Sequence, residues 1–140
     1  MVNPAGSPPT FSSFRNTSVA GYTGGFIELD LGSLPAGDYS VLVTVEGSVA
    51  SGTSPAETRD LFCVLDSVPA SPLDQATQTT FPPLDSNGNA FTVMPMLGTL
   101  STPDVVSLRL RCEVAPTTNP VDVQLTSRTV ATATAPITQV

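Results

Sequence analysis

Between Val105 and Val114, apolar and polar side chains alternate almost without error. Val106, Leu108, Leu110, Cys112 and Val114 share one parity; Ser107, Arg109, Arg111 and Glu113 share the other. A period of two belongs to a strand with one face buried and one face solvated. Asp38–Glu46 repeats it, with Tyr39, Val41, Val43 and Val45 against Ser40, Leu42, Thr44 and Glu46. Gly25–Leu31, Asp60–Asp66, Ala76–Phe81, Ala90–Leu100, Val121–Leu125 and Arg128–Thr134 read as further strands. No stretch keeps a helical period, and Thr and Val stand where a helix would use Ala, Leu, Glu or Lys.

Turn residues punctuate these strands. Leu34-Pro35-Ala36-Gly37-Asp38 is a turn, and Asn87-Gly88 within Asp85–Asn89 is a short-range hairpin signal. Ser54-Pro55 and Thr117–Pro120 mark two more loops. Pro95 interrupts an apolar strand, which places that strand at a sheet edge or at a bulge. The expected fold is all-β, an antiparallel β-sandwich or jelly roll of about 7–9 strands. At 140 residues it has one domain with room for a real core. Residues 1–16 read as an extended N-terminal arm, and residues 17–140 as the sandwich.

Composition removes several kinds of chemistry. The chain has no His, and all five basic residues are Arg. Histidine triads, histidine metal sites, lysine Schiff bases and Walker-type phosphate loops are therefore excluded. No metal, cofactor or catalytic residue is expected. Acid–base work would fall to carboxylates such as Glu28, Asp30, Glu46, Asp60 and Asp66, and no spacing brings two of them to a cleft. With no Trp and two Tyr, a sugar-stacking platform is also lacking. The net charge of −7 opposes a polyanionic partner, so nucleic acid is not expected. No apolar run reaches the length of a membrane helix. MVNPAGSPPTFSSF has no basic stretch followed by an apolar one, so no secretory leader is expected there.

Several residues invite a role. Cys63 and Cys112 sit on the apolar parity of two strands, where they either bridge or fill the core as small thiols. Asp85, Asn87 and Asn89 alternate like the start of a calcium loop. Gly88 falls at the fourth position and Met96 at the twelfth, so a hairpin turn is the better reading. Asn16-Thr17-Ser18 matches a glycosylation sequon. Arg109 and Arg111 lie beside Glu113 on a polar face that is solvated, paired across strands, or paired to an acidic patch on a neighbouring subunit. In the arm, Pro4, Pro8 and Pro9 favour an extended path, and Phe11 and Phe14 are its apolar anchors for a partner surface. Thr129, Ala131, Ala133 and Ala135 place small side chains on one face of the last strand, which suits close approach of other subunits in a homotrimer.

The order Leu34-Pro35-Ala36-Gly37-Asp38-Tyr39, Val41–Val45, Leu61-Phe62-Cys63-Val64-Leu65, Leu97-Gly98-Thr99-Leu100, Val106–Cys112 and Val123–Val130 resembles a group of small all-β domains of actinobacteria and their phages. The resemblance covers roughly residues 20–135. Those domains stand alone or at the ends of collagen-like and fibre proteins, as trimeric jelly rolls of the tumour-necrosis-factor type. Here no Gly-X-Y repeat precedes the domain. The resemblance implies a bacteriophage virion protein on the capsid exterior. Its function would be decoration (cement), with the major capsid protein or another virion protein as partner. The alternative is the adhesive or receptor-binding head of a surface fibre, with a glycan as partner.

Overall fold

The computed structural model describes residues 9–50, 59–69, 74–115 and 120–134. Eight strands account for most of them: β1 (Thr10–Tyr22), β2 (Ile27–Leu34), β3 (Gly37–Ala50), β4 (Asp60–Val68), β5 (Asp74–Thr80), β6 (Asn89–Thr102), β7 (Val106–Ala115) and β8 (Val121–Ala133). They form two four-stranded sheets, β1-β8-β3-β6 and β2-β7-β4-β5. Every pairing is antiparallel, and the partners nest: β1 with β8, β2 with β7, β3 with β6, β4 with β5. The chain is thus one long folded ribbon wrapped into a sandwich, which is the jelly-roll arrangement.

The alternating residues close on one core between the sheets. Tyr39, Val41, Val43 and Val45 of β3 face Leu61, Cys63 and Leu65 of β4 and Leu108, Leu110 and Cys112 of β7, and all are buried. Gly47 lies at the tightest point: a Cβ there would stand 3.0 Å from Leu61 Cδ2 and 3.3 Å from Phe81 Cζ. Such contact leaves no room for any larger residue without a shift of both neighbours. In β2 a bulge between Asp30 and Gly32 resets the parity, so Leu29, Leu31 and Leu34 all point inward. Gly32 takes the positive φ of 110° that the bulge needs, and its N–H donates to Asp30 Oδ1 at 2.9 Å.

Three expectations change. Residues 10–16 are not an arm; they begin β1, paired residue by residue with β8 from Thr10↔Thr132 onward. Even Pro9 is tied in, its carbonyl accepting from the Ala133 N–H at 3.0 Å. Pro4 and Pro8 lie outside the described residues. The two strands expected at residues 121–125 and 128–134 are one continuous strand, β8. Pro95 does sit on an edge strand, one of the two placements expected for it, directly opposite Thr44 and with no register shift. The Asn87-Gly88 turn does not join two paired strands, since it leads into β6 in the other sheet from β5. Asp85 Oδ1 accepts from the N–H groups of Asn87 and Asn89, both at 2.9 Å, so its carboxylate closes the turn.

Candidate interaction surface

The two outer faces of the sandwich differ in chemistry. On the β2-β7-β4-β5 sheet the outward residues include seven charged side chains, Glu28, Asp30, Asp60, Asp66, Arg109, Arg111 and Glu113, beside Phe62, Val64 and Val68, and several of those charges are met within the chain. Arg109 forms a two-pronged contact to Asp66, Nε to Oδ1 and NH2 to Oδ2, both at 2.9 Å. Arg111 reaches Asp66 Oδ2 at 3.1 Å and lies 5.1 Å from the centre of the Phe26 ring. The hydrogen bond from Arg109, with both arginine charges nearby, holds the Asp66 carboxyl below its ordinary value despite partial burial. The ion pairs considered for a neighbouring subunit are therefore made at home, across strands. Asp60 accepts from Gln78 Nε2 at 3.0 Å and Thr80 Oγ1 at 2.8 Å. Glu46 stands apart from these carboxylates, on the other sheet.

The outer face of the β1-β8-β3-β6 sheet is mixed, with an apolar patch concentrated on β6 and reaching β3 and β8. Register aligns Leu97 of β6, Leu42 of β3 and Val130 of β8 in one row. The next row runs Pro95, Thr44, Arg128 and Phe14, and the one after it Val93, Glu46, Thr126 and Asn16. Phe91 extends the patch along β6. Leu97 is 69% exposed, Phe91 66%, Val93 59%, Phe14 49%, Val130 40% and Leu42 39%. Their combined apolar surface is roughly 600 Å², the upper end of what a single folded chain leaves in water. Asp38 and Asp122 lie at the two ends of this sheet. Each is engaged, Asp38 Oδ1 by the Ser101 hydroxyl and Asp122 Oδ1 by the Gly21 N–H.

The residues singled out from the sequence fall elsewhere. Cys63 and Cys112 are directly opposed on β4 and β7, with Cα atoms 4.1 Å apart and their sulfurs bonded. Phe11 points inward, edge-on to Tyr39 with ring centres 5.9 Å apart, and belongs to the domain's own core. Phe14 points outward under the Arg128 guanidinium, 4.8 Å from its ring centre. Thr129 and Ala131 are buried and Ala133 is partly buried against the same core, so this face of β8 cannot meet another subunit. Ala135 lies outside the described residues. Small side chains there open a cleft of about 210 Å³ between β1 and β2, lined by Phe11, Ser13, Leu31, Leu108, Thr129 and Ala131 among others. The hydroxyls of Ser13 and Thr129 are buried beside it without a hydrogen-bond partner.

The apolar patch had one sequence signal. Phe91, Val93, Pro95 and Leu97 occupy one parity of β6 while Ala90, Met94 and Met96 occupy the other. An antiparallel strand apolar on both sides is covered twice or keeps one apolar face in water. The core takes the second set, leaving the first uncovered. Among the described residues no group of three Cys, Asp or Glu side chains is placed to hold a metal ion.

No protein-family model matches the chain. No curated protein matches it either. Solved structures resemble the chain at low identity. Latent PorU of Porphyromonas gingivalis is 12% identical with a TM-score of 0.49; the match covers 89% of this chain, which spans 13% of that one. A structure of Desmodium yellow mottle tymovirus is 8% identical with a TM-score of 0.38, over 100% of this chain and 95% of that one. A cowpea mosaic virus empty virus-like particle is 13% identical with a TM-score of 0.43, over 100% and 88% of the two chains.

Proposed function

We propose that the chain is a structural protein of a bacteriophage virion, a decoration protein that binds and stabilises the capsid exterior. The observation that carries this reading is a disulfide-linked two-sheet frame that leaves an apolar patch uncovered on one sheet, while Asp66 on the other is held by Arg109 and Arg111. Such a molecule acts by holding neighbours together. The cross-strand disulfide and the nested pairing supply stiffness. The negative net charge separates it from packaged nucleic acid and suits an outer surface. The resemblance of its strand motifs to surface domains of actinobacteria and their phages directs the reading to a phage.

The partner in this reading is the major capsid protein. Self-association accompanies it, through a surface other than the inward face of β8. The test is a copy count by mass spectrometry on purified particles, joined to occupancy measured on empty capsids. A copy number that scales with the capsid lattice supports decoration. A handful of copies per vertex or tail overturns it in favour of a fibre head, and absence from particles overturns a virion role. A variant lacking residues 2–8 tests the expected anchor: unchanged occupancy removes those residues from the binding surface.

A further inference from the structure

We infer that the outer face of the β1-β8-β3-β6 sheet is where a second copy of this chain docks, face to face about a twofold axis. The inference rests on the reading of the chain as an assembly protein and names the partner of its apolar face.

Area is the first argument. A stable interface buries about 800 Å² on each partner, with an apolar centre and a polar rim. The patch of Phe91, Val93 and Leu97 on the edge strand β6, with Leu42 and Val130 beside it, supplies the apolar part. Asp38 and Asp122, each already engaged, lie at its two ends.

Charge is the second and more selective argument. Two copies each carrying −7 repel at most approaches. Glu28, Asp30, Asp60, Asp66 and Glu113 belong to the strands of the other sheet. Within the apolar patch the charged side chains are Glu46 and Arg128, one of each sign, on the adjacent strands β3 and β8. Neither forms an ion pair among the described residues; Arg128 is held over Phe14. A partner for this patch must be apolar, with one cation to meet Glu46 and one anion to meet Arg128. The patch itself meets that description. A twofold axis midway between the two residues sets each Arg128 against the other copy's Glu46, so the interface is self-complementary.

Sedimentation equilibrium of the full chain across micromolar concentrations tests the pairing. The expected mass is twice 14.4 kDa. Glu46→Arg and Arg128→Glu, each placing like charges in contact, should weaken association about tenfold or more. The double swap should restore it. Leu97→Asp should yield a folded monomer whose melting temperature no longer depends on protein concentration. A wild-type monomer, a trimer, or a double swap as weak as the single variants overturns the inference. Capsid occupancy, measured separately, decides the decoration reading. Monomeric wild type that fills capsids and loses them on Leu97→Asp assigns the face to the capsid and overturns the dimer. A dimer absent from particles refutes decoration while leaving the pairing intact.

Discussion

Thr129→Val should make this protein more stable. Thr129 is 3% exposed on the inner face of β8, between Ser13 of β1 and Val43 of β3. Its hydroxyl is buried without a hydrogen-bond partner. Leaving such a group unmet costs about 1–3 kcal/mol relative to an apolar atom of the same shape. Valine keeps the branched Cβ, so strand preference and rotamer restriction barely change. The added methyl takes the place of the buried hydroxyl beside the cleft of about 210 Å³, into which neighbouring side chains can adjust. The net gain should be about 1–2 kcal/mol, a sizeable share of a total near 5–15 kcal/mol. In urea the midpoint should rise with an unchanged slope, and the melting temperature should rise by about 3–6 °C. A variant that loses stability with the slope unchanged would refute the reasoning. It would show that the hydroxyl is hydrogen-bonded in solution, by water or a small molecule in the cleft.

Three further outcomes follow from the same structure. Replacing both Cys63 and Cys112 by Ala removes a link across 49 residues and should cost about 4 kcal/mol by chain entropy, read as a lower denaturation midpoint; a loss under about 1 kcal/mol contradicts that account. Phe11→Ala should cost about 2 kcal/mol, less than a fully buried ring because Phe11 is half-buried, whereas Phe14→Ala should cost under about 1 kcal/mol; equal losses in thermal melts would contradict the assignment of one ring to the core and the other to the surface. Asp66 has a folded-state pKa below its ordinary 3.8, so its stabilising contribution is complete above that value and disappears as pH falls through the depressed one; Asp66→Asn should lower stability at neutral pH and flatten the acid limb of the stability profile.

The strands that announce themselves in sequence are those with one clean apolar face. β7 and β3 alternate because each is central in its sheet, with core on one side and polar groups on the other. β1 did not announce itself. Its partly buried positions are Phe11, Ser13, Thr17 and Val19, with the exposed Arg15 between them, and an edge strand over a cleft needs few large apolar side chains. Its first half therefore has the sequence pattern of a tail. β8 looked broken because Thr126 and Ser127 interrupt the Val and Leu, yet Ser127 is fully buried. The parity reset at Gly32 is invisible without the register against β7. The small-residue stripe of β8 was real, but its orientation followed from Val121, Val123 and Leu125 earlier in the strand, which face the core. The apolar patch is legible only in outline, because it is assembled from β6, β3 and β8 by pairings between distant segments.

The nesting of the strand pairs also sets a timetable during synthesis. β4 and β5 can close as soon as both have left the ribosome, and each outer pair then closes a shorter effective loop than it would alone. β1 waits longest, because contacts such as that of Asn16 with Gln124 span 108 residues. At ordinary elongation rates that interval is on the order of ten seconds. Throughout it the N-terminal strand is an unpaired edge in a crowded solution. A run such as Val41–Val45 in that position would recruit other nascent chains. The Ser, Thr and Asn residues that hid β1 from sequence reading keep it soluble until its partner arrives.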